Sequence, residues 1–217
     1  MYRRKKRKMA NQIEVEFIGS LTNNKFEELK ELFAKQGKFK KQKQRLSFMY
    51  FKNKIPKELE EIKDELIDLR IRITNKEPEV MLKYGLFTGS HARKEIALNP
   101  SQEELPNYVD FLKGLGWHLG VLYATETFVY TYKGIEFSLI KIKDYGYNFE
   151  AEIMTDENKI EETKTEINKQ LIELGLKTFD ESGLNKQCNE INNKKDLQFD
   201  FLKDDFEQIK ERFADFF

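Results

Sequence analysis

Ile13-Glu14-Val15-Glu16-Phe17-Ile18 and Phe149-Glu150-Ala151-Glu152-Ile153 set the architecture expected of this chain. Both runs alternate an acid with an apolar residue, the period of a β-strand. Each therefore sends its two carboxylates to one side and Val15, Phe17, Ala151 and Ile153 to the other. Four acids gathered on one inner surface suit a divalent metal ion, since carboxylate oxygens are the ligands that hard cations such as Mg2+ and Mn2+ prefer.

Between the acidic runs lies their chemical complement, Leu69-Arg70-Ile71-Arg72-Ile73, with guanidinium groups at the alternate positions. Lys83 and Arg93 follow. A guanidinium fork matches the oxygens of a phosphate group, so acids and bases together describe a metal–polyphosphate site. Glu14, Glu16, Glu150 and Glu152 are the candidate metal ligands. Arg70, Arg72, Lys83 and Arg93 are the candidate phosphate ligands.

The bulk properties make any electrostatic function local. The 217 residues carry 38 basic and 38 acidic side chains, a formal net charge of zero, so no overall field selects nucleic acid or membrane. Six of the bases lie in Arg3-Arg4-Lys5-Lys6-Arg7-Lys8, leaving 32 bases against 38 acids elsewhere, a balance of −6. That run is expected to be a disordered leader over residues 1–10, and it is the one place where nucleic acid is a plausible partner. No apolar stretch approaches the roughly 20 residues that span a bilayer, so a cytoplasmic location without a membrane partner is expected. Cys188 is the lone cysteine, which excludes an internal disulfide and a multi-cysteine zinc site.

Periodicity and turn residues imply about eight strands with helices between them. A strand near 12–18 leads to a helix capped by Thr22 or Asn23, carrying Phe26, Leu29, Leu32 and Phe33 on one face and ending at Gly37. Residues 44–52 form the next strand. Residues 69–74 and 79–83 pair as a hairpin around 75–78, and 93–98 is a further strand. A helix opens at Ser101. Residues 125–132 and 135–142 make a second hairpin about Lys133-Gly134. The second acidic strand follows, then a helix over 157–174 and a polar segment. A last helix near 200–215 aligns Leu202, Phe206, Ile209, Phe213 and Phe216.

The order Glu14-x-Glu16, Arg70-x-Arg72, Lys83, Arg93-x-Glu95, and Glu150-x-Glu152 after Gly146 resembles the CYTH family of triphosphate tunnel metalloenzymes, which includes class IV adenylate cyclases and thiamine triphosphatases. The likeness covers roughly residues 12–180. It implies an α+β fold: an eight-stranded antiparallel, tunnel-like β-barrel with helices packed on the outside. The corresponding division is a leader over 1–10, a tunnel domain over 11–180 and a helical extension over 181–217. The implied activity is metal-dependent hydrolysis of a triphosphate, inorganic or organic, with Mg2+ or Mn2+ held by the four glutamates. Arg70, Arg72, Lys83 and Arg93 would bind the phosphates, with Arg70 and Arg72 also stabilising the reaction and Glu95 orienting water. The alternatives are cyclisation of ATP to cyclic AMP and pyrophosphate, and binding of a polyphosphate or nucleotide without turnover. A homodimer is left open.

The chain departs from the family pattern in three places. Ile18 stands where a lysine is usual, Thr125 and Thr127 where a basic pair is usual, and Ile140 where an aspartate is usual. Lys141 and Lys143 would compensate if the register differed by one residue. The remaining features have structural readings. His91 and His118 lack a nucleophile or zinc partner, Gly85, Gly89 and Ser90 fit a turn better than a phosphate loop, and Tyr130 and Tyr132 suit core packing.

Overall fold

The computed structural model describes residues 12–58, 61, 67–84 and 94–217. The expected leader, His91, Arg93 and the Gly85–Ser90 segment lie outside them, and of Glu95 only the backbone is described. The described residues form nine strands and five helices: β1 (Gln12–Leu21), α1 (Asn23–Gln36), β2 (Lys38–Phe51), β3 (Ile67–Thr74), β4 (Glu77–Tyr84), β5 (Lys94–Leu98), α2 (Leu105–Gly114), β6 (Leu119–Tyr132), β7 (Ile135–Ile142), β8 (Gly146–Asp156), α3 (Ile160–Glu173), α4 (Glu181–Asn192), β9 (Gln198–Asp200) and α5 (Phe206–Arg212). Eight strands pair in the order β1-β8-β7-β6-β2-β3-β4-β5, and β9 adds to β6. The β1–β8, β2–β3, β3–β4, β4–β5 and β6–β9 ladders are antiparallel, so the α+β class expected from the sequence is the one adopted.

The chain forms two compact units, Met1–Lys41 with Phe128–Ile140 and Gly146–Phe179, and Gln42–Thr127 with Lys141–Tyr145 and Asp180–Phe217. In the first, α1 begins where Thr22 caps it, its side chain accepting a hydrogen bond from the Lys25 N–H, and ends at Gly37. Phe26, Leu29 and Phe33 of α1 and Ile167 and Leu171 of α3 cover the apolar face of β1, β8, β7 and the end of β6, burying Val15, Ala151, Phe149, Phe137 and Leu139. Each fully buried phenylalanine contributes roughly 1.5–3 kcal/mol from removal of apolar surface from water. Tyr130 and Tyr132 join this core, both packed against Phe33.

In the second unit, Leu69, Ile71 and Ile73 of β3 pack with Leu46, Phe48 and Tyr50 of β2 beneath Leu105, Val109 and Leu112 of α2 and Phe206 and Ile209 of α5. Its aromatic centre is Phe48, Phe199, Phe201 and Phe206, with ring centroids 4.8–6.3 Å apart. In both units the helices take the apolar side of the strands. Alternation then assigns the opposite side to the charged residues.

Two turns show why the hairpins close where they do. Asn75 and Lys76 both have positive φ, 51° and 72°, and Thr74 pairs with Glu77, so the connection is a two-residue turn matched to strand twist. The Asn75 side chain fixes it by accepting from the Gln44 N–H at 2.8 Å. The turn is therefore shorter than the four residues expected, and Glu77 and Pro78 belong to β4. Lys133 and Gly134, with φ of 48° and 85°, make the second such turn, as expected.

The C-terminal stretch differs from the sequence expectation. The polar segment contains α4, capped by Asp180, whose side chain accepts from the Gly183 N–H at 2.7 Å. The last helix starts only at Phe206, because residues 198–200 pair with β6 as a strand. Phe206, Ile209 and Phe213 are buried, but Leu202 is 64% exposed in the intervening turn.

Candidate functional site

The acidic face of the first unit is built by register. Glu16 lies opposite Glu152, Glu14 opposite Met154 and Ile18 opposite Glu150, so all six side chains share one face of the β1–β8 ladder. Glu14, Glu16 and Glu152 each bring a carboxylate oxygen within 4.8 Å of the other two. Glu14 and Glu16 are exposed and Glu152 is half-buried. Glu150, the fourth expected ligand, lies outside this group of three and sits across from Ile18 instead.

A fourth carboxylate enters from β7. Ile135, Phe137 and Leu139 face the core, which puts Glu136, Ser138 and Ile140 on the acidic side. The Glu152 carboxyl is pushed up to about 8, first by burial, then by a hydrogen bond shared with Glu14, and then by the charges of Glu14, Glu136 and Glu16. A proton at this site offsets like-charge repulsion. A divalent cation would do so more completely, and three oxygen ligands at this separation fit a hard cation. Glu136 was not identified in the sequence because a single acid in an apolar strand has no Glu-x-Glu pattern to mark it.

The second unit holds the cationic counterpart. On β3, Asp68, Arg70 and Arg72 share the face opposite the core residues Leu69, Ile71 and Ile73. Arg70 Nε and Nη2 donate to the two oxygens of Asp68 at 2.6 and 2.7 Å, a bidentate pair. Arg72 stands across from Glu79 in the ladder, with Nη1 3.8 Å from its carboxylate, and its buried Nε has no hydrogen-bond partner among the described residues. The Arg72 guanidinium is lowered to about 10 by burial and then by the charges of Arg70 and Arg45, which leaves it cationic at neutral pH.

Lys83 pairs in register with Asp68 on β3 and with Glu95 on β5, so the backbone brings these positions together. Asp68 and Arg45 are the residues the sequence reading passed over. The available signal was spacing, because Asp68 precedes Arg70 by two and Arg45 precedes Ser47 by two on alternating strands.

The departures can also be placed. Ile18 occupies the acidic face beside Glu150, and Ile140 lies on the Glu136 side of β7. Thr125 is buried in β6. Lys141 lies near the end of β7 and Lys143 just beyond it. Lys143 Nζ lies 4.9 Å from the Phe213 ring, and both lysines line a cavity of about 380 Å³ with Ala124, Glu126 and Phe216. His118 Nδ1 lies 2.8 Å from an Asp200 oxygen beside the β6–β9 pairing. Cys188 is a half-buried free thiol, and its ionisation is pushed up by burial. Among the described residues no helix is long and apolar enough to cross a membrane.

No family model and no curated protein matches the chain. Solved structures do resemble it. A Pyrococcus horikoshii protein has a TM-score of 0.57 and 23% identity, over 77% of this chain and 93% of its own. A candidate adenylate cyclase from Vibrio parahaemolyticus has a TM-score of 0.54 and 15% identity, over 78% and 94%. A candidate adenylyl cyclase from Hippeastrum, described as having a dominant triphosphatase activity, has a TM-score of 0.53 and 16% identity, over 77% and 89%. The chain shares the fold of these proteins, in agreement with the fold that its resemblance to the CYTH family implies.

Proposed function

We propose that the chain is a metal-dependent triphosphatase that releases phosphate from a triphosphate substrate. The observation that carries this reading is the convergence of Glu14, Glu16 and Glu152, with the Glu152 carboxyl pushed up by burial and by its acidic neighbours. Such a group is costly to keep without a cation and is suited to Mg2+ or Mn2+. Bound there, the metal would supply charge neutralisation for phosphate oxygens.

The remaining roles belong to side chains. Arg70, presented by Asp68 through its two-point contact, offers its outer guanidinium edge to a phosphate. Arg72 carries a buried donor that lacks an acceptor among the described residues, which an oxygen-rich anion would satisfy. Lys83 and Arg93 add positive charge, and Glu95 is the carboxylate assigned to orient the attacking water. A water molecule bonds to the terminal phosphorus, the bridging P–O bond breaks, and orthophosphate leaves with a shortened chain.

Cyclisation of ATP is the second reading, favoured because solved neighbours are described as candidate adenylate cyclases. A third outcome, binding without turnover, is raised by Ile18, Ile140, Thr125 and Thr127, since loss of one preorganised charge can cost about a hundredfold in rate. One assay separates them: inorganic tripolyphosphate, thiamine triphosphate and ATP are each incubated with the protein and Mg2+ or Mn2+. Orthophosphate release is the expected result. Cyclic AMP with pyrophosphate would replace the hydrolase by the cyclase, and tight binding without product would leave a binding protein.

A further inference from the structure

The first eight residues of β2 carry five bases, Lys38, Lys40, Lys41, Lys43 and Arg45, and the strand is aromatic from its second residue, Phe39. Lys38, Phe39, Lys40 and Lys41 belong to the first unit, and all four are exposed. The length of β2 explains the exposure. Its ladder with β3 reaches Arg45 opposite Thr74, and the Asn75 side chain extends contact only to Gln42, whose carbonyl accepts from Nδ2 at 3.3 Å. The other neighbour of β2 is β6, so among the described residues no strand covers the edge of residues 38–41 that continues the β3 side.

Lys38, Lys40 and Lys41 have no carboxylate partner among the described residues. The acid nearest to them in sequence, Glu31, is paired with Lys35 at 3.3 Å. Phe39 is 53% exposed, and its ring rests against Tyr130, with centroids 5.5 Å apart and planes at 67°. Tyr130 is fixed in turn on Phe33 of α1. The core therefore positions the Phe39 ring while half of it faces outward.

Lysines on an open edge can serve simply to keep other strands away. An exposed aromatic ring among them works against that purpose, because it adds apolar surface at the place to be protected. A lipid surface requires a continuous apolar face, whereas alternation puts Lys41 and the pair Lys38 and Lys40 on opposite sides of this strand. Cations interleaved with an aromatic ring match a chain that presents phosphates and base faces together. Residues 38–41 extend over about 10 Å at roughly 3.3 Å per residue, the length of about three stacked nucleotides.

We infer that residues 38–41 of β2 form a binding site for single-stranded nucleic acid, with Lys38, Lys40 and Lys41 on the phosphates and Phe39 stacked on a base. The site lies on the folded strand, apart from the basic leader in which the sequence raised nucleic acid as a partner. It is also independent of the triphosphatase reading, since it uses none of the groups assigned to metal or triphosphate.

Fluorescence anisotropy of a labelled oligo-dT of about 20 nucleotides, titrated with the full chain at several salt concentrations, tests it. For single strands the logarithm of the affinity falls with the logarithm of salt by about 0.7 per phosphate contact. The Lys38→Gln, Lys40→Gln, Lys41→Gln variant should therefore show a slope smaller by about 2, bind roughly tenfold or more weakly at low salt, and keep the wild-type melting temperature. Phe39→Ala should weaken binding about fivefold or more with the slope unchanged, and Phe39→Tyr should bind as wild type, a pattern that stacking produces. Arg70→Gln should bind the oligonucleotide as wild type does. Wild-type protein that does not bind it, or an unchanged slope in the triple lysine variant, overturns the inference. So does binding that is abolished by glutamine at all six basic positions of residues 3–8, or by Arg70→Gln, while the β2 variants retain it. Phosphatidylserine vesicles are the remaining comparison: binding to them that the triple lysine variant loses, with oligonucleotide binding intact, would make a membrane the occupant and overturn the assignment to nucleic acid.

Discussion

Glu152 allows the metal site to be tested without any substrate. Its carboxyl sits at about 8 against an ordinary value of 4.5, so folding favours the protonated form. The sign follows from linkage. The contribution to stability is complete below about pH 4 and is lost as the pH climbs through 8, because the native state must then carry the charge among Glu14, Glu16 and Glu136. Metal-free wild-type protein should therefore lose melting temperature between pH 5 and pH 8.5, Glu152→Gln should lose much less, and Mn2+ should restore the wild type at the alkaline end. Parallel curves for wild type and Glu152→Gln would contradict the placement. Glu150 provides the contrast, since it lies across from Ile18 and outside the group of three. Glu150→Gln is expected to reduce Mn2+ affinity several-fold less than Glu152→Gln, as measured by titration at pH 7.5; equal losses would return Glu150 to the ligand set. The Glu-x-Glu runs could be read from the sequence because alternation fixes which side chains share a face. Which of the four acids converge was not readable, since that depends on the β1–β8 register. Glu136 was missed for the same reason, being a single charge whose meaning comes from a neighbouring strand, whereas Asp68 was marked only by its two-residue spacing from Arg70.

Elements were legible wherever the local chemistry was unambiguous. Thr22 and Gly37 marked both ends of α1, and Lys133-Gly134 marked the hairpin that yields β7 over Ile135–Ile142. α4 was hidden because its inward face runs Leu184, Gln187 and Ile191, with a buried glutamine where periodicity expects an apolar residue. β9 was hidden because three residues carry no period at all, and the phenylalanines flanking it fit a helical stripe equally well. What makes β9 possible is a gap on β6. A Cβ at Gly120 would come 2.1 Å from the Met49 carbonyl oxygen and 2.6 Å from the Phe199 ring, so only a glycine permits the close approach of backbone and ring. Gly120→Ala should destabilise the protein by roughly 2–3 kcal/mol, since the contact to a backbone carbonyl cannot be relieved by rotating a side chain. Urea denaturation checks this, and a change under about 0.5 kcal/mol would mean that the strands separate at little cost.

At the scale of the whole chain, the motif order from Glu14 to Glu152 gave access to the fold, while the composition of the compact units did not. Each unit is assembled from three separated stretches. Periodicity reports which face a residue takes and says nothing about which distant strand it will join. The charge ledger likewise hides the division of labour. The formal net charge is zero, yet carboxylates gather in one unit and arginines in the other. Melting of the full chain can read both ligands, because anything that binds only the native state raises its stability. At a hundredfold excess over Kd the gain is about 2.7 kcal/mol. For a chain of this length that is a shift of roughly 5–10 °C. Mn2+ should produce such a shift in wild type and in Arg70→Gln, and lose it in the Glu14→Gln, Glu152→Gln double variant. Tripolyphosphate added without metal should do the converse, shifting the double glutamine variant and failing to shift Arg70→Gln. Loss of both shifts in Arg70→Gln would mean that this arginine supports the acidic site as well, and the assignment of metal to the carboxylates and phosphate to the guanidinium groups would have to be abandoned.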